Sequence, residues 1–253
     1  MIGPYLMTTA TSPEEADRHS DVAVLPVGSF EQHGPHLPLI TDTVIACAIA
    51  EALASSYDLR LLAPVTFSCS HEHAAFPGTV SISPSTLAAI VGDVLADVAR
   101  TGVEHLVLVN AHGGNYVLNN VVQQANVTRR RVLLFPGSAD WKAARSVARC
   151  VTSTHDDMHA GEAETSILLH LAPDLVREGW AENDWQAPDR PYLHLLGVQG
   201  YSPAGVIGSP SEASAEKGRR LLDALVDAFD QPLKLLRAAD SSSSGTSPKQ
   251  LGR

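Results

Sequence analysis

The chain has 253 residues, 44% of them hydrophobic and 18% charged, with a formal net charge of −10 at pH 7. That length suits one α/β domain with a sizeable core, and the acidic balance argues against nucleic acid or an anionic membrane as partner. Apolar runs fall short of the roughly 20 residues of a membrane span, and no basic-then-apolar leader is visible, so the cytoplasm is the expected location. Three scattered cysteines, Cys47, Cys69 and Cys150, suggest neither a disulfide framework nor a thiolate zinc site.

Ser12-Pro13-Glu14-Glu15 has the form of a helix start: a cap, a Pro in the first turn and two acids at the positive helix end. The short helix it opens is expected to end near His19. Asp21 to Val27 is apolar without alternation, as in a strand buried on both faces of a parallel sheet. A polar loop follows from Gly28, and Thr41-Asp42 begin a helix to about Ser56. Leu61 to Phe67 is expected as a second strand, and the loop 68–78 carries Ser70-His71-Glu72-His73. Thr79 to Ile82 suggest another short strand. Ser83 caps a helix with Leu87, Ile90, Val91, Val94, Leu95 and Val98 at helical spacing, stopped by Gly102.

Leu106 to Val109 is the clearest core strand and runs into Asn110-Ala111-His112-Gly113-Gly114-Asn115. A helix to about Val127, a strand 131–135, a helix 139–150 and a helix Ala160 to Leu171 follow. Residues 178–209 are irregular and rich in Pro and Gly, which suggests a lid or subunit contact. Trp180, Trp185, Tyr192 and Tyr201 there would meet substrate or fill a subunit interface. Ser211 to Arg237 is expected as the last helix. Residues 1–238 are thus expected as a single domain, and 239–253, rich in Ser, as a disordered tail. The alternation of strand and helix predicts an α/β fold with a mainly parallel sheet covered by helices.

In such sheets ligands bind beyond the carboxyl ends of the strands. Glu31 and His33 follow one strand end, His73 another and His112 a third, so three polar clusters converge on one edge. Glu31 and His33, two apart in an extended segment, face the same side, and Asp42 at a helix start can point back toward them. Taken singly, Asp42 could be a cap, Glu31 a solvated acid and His33 a turn residue. Together with the other clusters they form a carboxylate–imidazole set suited to a divalent transition metal.

Gly113 and Gly114 after His112 permit close approach of a substrate to the backbone, and Asn115 is expected to cap the next helix, with substrate binding as its alternative role. Glu162 and Glu164 lie two apart in a first helical turn beyond His159. They do not share a face, so one should reach the site and the other solvent or a neighbouring side chain. His73 is a candidate substrate contact, whereas His71 and Glu72 carry less of a signal.

Pro26 to Pro38 (PVGSFEQHGPHLP) with Thr41-Asp42 resembles the signature of the creatinine amidohydrolase (creatininase) family. The similarity extends to Glu72-His73-Ala74-Ala75-Phe76-Pro77-Gly78-Thr79, to the segments around His112 and His159, and to Ser202 through Gly208. It implies a three-layer αβα sandwich, commonly assembled as a hexamer, and a metal-dependent hydrolase of C–N bonds. By resemblance, Glu31 and His112 would bind one metal ion, His33 the other, and Asp42 both, with His159 as acid/base. The cofactors would be two divalent ions (Zn, Mn or Fe(II)), activating a bridging hydroxide against an amide, formamide, cyclic amide or peptide.

Creatininase itself carries a second-metal Glu where this chain has Gly114, and Glu164 is the substitute at hand. The Gly-Gly version resembles the branch that contains formamide deformylases and the mycofactocin-precursor peptidase. A non-catalytic metal- or ligand-binding protein on the same scaffold and a metal-assisted isomerase or lyase are the competing readings.

Overall fold

The computed structural model describes residues 8–238. Four parallel strands, β1 (Val22–Val27), β2 (Arg60–Leu61), β3 (His105–Asn110) and β4 (Val132–Phe135), form one sheet in the order β2-β1-β3-β4. The helices are α1 (Ser12–Arg18), α2 (Thr41–Tyr57), α3 (Pro84–Arg100), α4 (Val117–Ala125), α5 (Ser138–Ala148) and α6 (Glu162–Leu171), then α7 (Leu193–Leu196), α8 (Ala215–Ala228) and α9 (Asp230–Arg237).

Every residue of β1 is buried, which its unalternating apolar sequence requires of a strand covered on both faces. Val22 and Val24 of β1 join Val107 and Val109 of β3 in a core with Ile45, Ile49 and Leu53 of α2, Ile167 of α6 and Leu221 of α8. The intervening Ala23, Leu25 and Val27 face the opposite side, where Leu87 and Val91 of α3 and Leu118 of α4 complete a second core. The period of two along each strand therefore divides the apolar residues between two helical layers, giving an αβα sandwich. Val27 pairs with Asn110 at the carboxyl ends of β1 and β3, so the loops that follow these strands leave the sheet side by side.

Several boundaries depart from the sequence reading. The first helix is capped by Thr11 rather than Ser12, with the Glu14 carboxylate accepting the Thr11 N–H at 2.6 Å. The second strand shortens to Arg60–Leu61, because Pro64 has no N–H to donate to a ladder. Val65 still makes an isolated bridge to Val27. Residues 79–82 form no strand; Val80 N–H instead bonds Phe30 O and Ile82 N–H bonds Ser68 O, both at 2.9 Å, lacing the site loops together.

The last helix divides into α8 and α9 around Phe229, where the ring of Pro232 meets the helical position of the Ala228 carbonyl. Within 178–209 the regular pieces are α7 and short turns at 180–182 and 198–200. The expected tail, 239–253, lies outside the described residues.

Phe229 is fully buried and meets Phe135 and Tyr57 edge-on, with ring centroids 5.1 and 5.2 Å apart. Phe229→Ala should lower unfolding stability by about 3–5 kcal/mol in chemical denaturation. A loss below about 1 kcal/mol would contradict this packing.

Candidate metal centre

The loop after β1 is held against the first turn of α2. A Cβ on Gly28 would lie 2.4 Å from the Thr43 backbone, so only glycine allows this approach, which brings Asp42 over the loop. Ser29 hydroxyl donates to Asp42 Oδ2 at 2.8 Å and orients that carboxylate.

Glu31, His33, Asp42, His112 and His159 are all buried, and partly buried Glu164 joins them from the first turn of α6. Two triads form around one shared carboxylate: Glu31, Asp42 and His112, and His33, Asp42 and Glu164. Asp42 Oδ2 lies 3.0 Å from His112 Nδ1, and Asp42 Oδ1 lies 3.1 Å from His33 Nε2. Glu31 Oε2 stands 3.2 Å from His112 Nε2, and Glu164 Oε2 stands 3.9 Å from His33 Nε2. A third grouping, Glu31, His33 and His159, overlaps both.

Backbone carbonyls fix the imidazole tautomers. His33 Nδ1–H donates to Glu31 O at 3.0 Å, His112 Nε2–H to Cys69 O at 2.8 Å, and His159 Nε2–H to Gln32 O at 2.6 Å. In the neutral rings the remaining nitrogens then turn lone pairs toward carboxylates. Such an arrangement repels itself unless a proton or a cation lies between. Neither oxygen of the buried Glu31 carboxylate has a hydrogen-bond partner. Among the described residues, no Lys or Arg pairs with Glu31, Asp42 or Glu164. Three carboxylates, bare imidazole nitrogens and no fixed cation fit divalent metal ions.

Without such ions, protons take their place. Burial opposes charging of His33, but Asp42, Glu164 and Glu31 outweigh it and push its pKa up to about 9. His112 is buried as deeply, and Glu31 and Asp42 raise it well above its ordinary value. His159 goes the other way: burial, then His33 and His73, hold it well below the ordinary imidazole range. Burial pushes Glu164 up to about 7, against the pull of His33.

Glu162 does not enter the site. Its carboxylate accepts from Lys217 Nζ at 2.6 Å and from the Thr152 and Val151 amides, so of the two acids only Glu164 faces the triads. The Glu164 side chain also accepts the Ala160 N–H at 2.7 Å, while Ala160 itself adopts a left-handed φ of 53°. Asn115 does not cap α4; it accepts Cys69 N–H and donates to Asn110, tying the loops together.

His73, Gly113 and Gly114 line the central cavity of about 110 Å³ with Glu31, Asp42, His112, His159 and Glu164. Burial, then His33 and His112, lower the His73 pKa to about 3. A Cβ on Gly114 would lie 2.0 Å from Glu72 Oε1, so Glu72 occupies the space a side chain at 114 would need.

Larger cavities adjoin the centre on two sides. One of about 350 Å³ shares Glu72, Gly114, Tyr116 and Leu193 with it. The other, of about 380 Å³, shares Ala111, Gly113, Met158 and Glu164, and is walled by Trp141. Trp180, Trp185, Tyr192 and Tyr201 line none of these three cavities. Sequence reasoning missed Gln32 and Trp141 and gave Glu72 too little weight: Gln32 lay inside the motif without a role, and Trp141 sits on a helix outside every motif.

The protonated His33 stabilises the metal-free fold fully below its ordinary value of 6.5, and that contribution is lost as pH rises through about 9. Metal-free protein should therefore lose thermal stability between pH 6.5 and 9, while protein loaded with zinc should not. Thermal melts in chelator and in zinc measure this, and a chelated sample with a flat melting temperature over that window would contradict it.

A family model described as creatinine amidohydrolase (creatininase) matches residues 7–232. The mycofactocin precursor peptide peptidase of Mycobacterium ulcerans (strain Agy99) is 37% identical over 217 residues, 81% of each chain. The creatinine amidohydrolase of Pseudomonas putida is 28% identical over 233 residues, covering 84% of this chain and 88% of that protein. A mutant creatininase solved in a zinc–zinc form superposes with a TM-score of 0.76 at 25% identity, over 90% of this chain and 96% of its own. The four-stranded parallel sheet with helices on both faces agrees with that likeness, and the chain belongs to the creatininase family of hydrolases acting on carbon–nitrogen bonds.

Proposed function

We propose that the protein is a two-metal amidohydrolase that cleaves an amide bond within an extended, peptide-like substrate. The observation that carries this reading is the pair of triads sharing Asp42, set in a small cavity between two larger ones. A centre of about 110 Å³ accommodates a reacting amide, and the flanking spaces of about 350 and 380 Å³ accommodate chain on either side of it. The relative named as a peptide peptidase, at 37% identity, supports a peptide over a small cyclic amide.

Glu31 and His112 would hold one ion, His33 and Glu164 the other, and Asp42 both. Glu164 would thus supply the carboxylate that creatininase takes from the position of Gly114. Zinc, manganese and Fe(II) all suit these nitrogen and carboxylate donors. When bound, two such ions polarise a carbonyl and make water nucleophilic at neutral pH.

The chain's own residues do the rest. His159 keeps its Nε2–H on the Gln32 carbonyl, which leaves Nδ1 as the free basic nitrogen of a neutral ring. It starts as a base, takes a proton from the attacking water at Nδ1 and returns it to the leaving nitrogen. The rings of His33 and His73 pack against it, tilted, at centroid distances of 4.2 and 4.3 Å. Gly113, with open space where a Cβ would stand, allows the substrate to lie against the backbone, and the amides of Gly113 and Gly114 are the candidates for binding the developing oxyanion.

Initial rates on a panel of peptides, formamides and creatinine, with metal analysis of each variant, test the proposal. Peptides should be hydrolysed by the metal-loaded protein, with solvent oxygen in the new carboxylate. His159→Ala should retain its metal and lose about 10²–10⁴-fold in turnover. Asp42→Ala should lose metal and activity together. A fully active His159→Ala, or a metal-replete and active Asp42→Ala, would overturn the respective assignment.

A further inference from the structure

Gln32 stands between two candidate metal ligands, yet its side chain bonds Gly34, Gly205 and His73 and joins neither triad. We propose that Gln32 is a positioning residue: its amide dictates which nitrogen of His73 carries the proton, and so sets a protonated nitrogen rather than a lone pair beside the Glu31 carboxylate. The inference rests on the metal-centre reading above.

Two backbone groups fix the amide independently of His73. Gly34 N–H donates to Gln32 Oε1 at 2.8 Å, and Gln32 Nε2 donates to the Gly205 carbonyl at 3.2 Å. A flipped amide would set donor against donor at Gly34 and acceptor against acceptor at Gly205. The position is also clamped, because a Cβ on Gly205 would lie 1.9 Å from Gln32 Oε1. The same Nε2 lies 2.8 Å from His73 Nδ1. That ring nitrogen faces an N–H and must accept, so the imidazole hydrogen is on Nε2.

His73 Nε2 in turn stands 3.3 Å from Glu31 Oε1. Tilted packing against His159, with centroids 4.3 Å apart, restricts the ring from turning away. Glu31 Oε1 thus lies beside the protonated nitrogen of His73 and, at 3.7 Å, the bare Nδ1 of His159, while Oε2 lies beside His112. The proton on the His73 nitrogen spares Glu31 Oε1 a facing lone pair and leaves both carboxylate oxygens without a hydrogen bond. It also removes His73 Nε2 from the nitrogens available to a metal. Through its main chain the same residue receives the His159 Nε2–H, so the segment 31–33 sets three imidazoles at once.

The test combines a spectrum with a binding cycle on the full chain. Histidine nitrogen NMR of the zinc-loaded protein, with His73→Phe used for assignment, should show His73 protonated at Nε2 and bare at Nδ1. Zinc affinity, measured against a chromophoric chelator, should fall about 10–100-fold in Gln32→Met with the circular dichroism unchanged. His73→Phe should cost a similar factor, and the double variant little more than either, because Gln32 acts through His73.

A proton on His73 Nδ1 in the unsubstituted protein would overturn the proposal, and so would additive losses in the double variant or an unchanged affinity in Gln32→Met. If Gln32→Met does not fold, the spectrum of the unsubstituted protein still decides. If that protein binds no zinc, manganese or iron, the metal-centre reading fails, whereas the tautomer of His73 still reports on Gln32.

Discussion

Everything in the site depends on one buried carboxylate. Asp42 sits at the start of α2 with its oxygens turned to two imidazoles on different loops, His33 and His112. Burying such a group costs several kcal/mol unless positive charge meets it. With Glu31 and Glu164 close by, the imidazoles alone answer it only by taking up protons that their ordinary values would not hold at neutral pH. A divalent ion in each triad would resolve the same imbalance. The arrangement is therefore a poor piece of core and a candidate cation site.

The rest of the fold keeps this imbalance in place. The flush carboxyl ends of β1 and β3 bring the loop 28–42 and the loop 111–116 together. The third contribution comes from the start of α6, held by charges that never touch the triads. Asp157 accepts the Glu162 and Ala163 amides at 2.6 and 3.0 Å and is paired with Arg145, while Glu162 is locked by Lys217 and Thr152. This network fixes the helix end from which Glu164 reaches inward and the strained Ala160 turn that carries His159. Breaking a buried pair of this kind typically costs about 3–5 kcal/mol, so stability and site geometry are joined here.

Much of this was legible in the sequence. The unalternating Val22–Val27 and Leu106–Val109 runs announce strands covered on both faces, and the rule for parallel sheets then sends Glu31, His33 and His112 to one edge. The spacing of Glu162 and Glu164 separates them onto different faces, but which one turns inward depends on Lys217, 55 residues further on. The failures have physical causes. Pro64 cuts short a strand whose apolar pattern continues, and Pro232 divides a helix whose amphipathic pattern does not break. Asn115 reads as a cap because local rules see only the helix after it, not the Cys69 amide brought across from another loop. Glu72 and Gln32 matter through contacts with Gly114 and Gly205, and no local spacing reveals such pairs.

The role of Glu164 tests the central claim most directly, since it is the carboxylate proposed to complete the second triad. Metal content per chain should be two for the protein loaded with zinc or manganese and one for Glu164→Gln, with the fold unchanged by circular dichroism. Two ions retained by Glu164→Gln, or a single ion in the unsubstituted protein, would contradict the account.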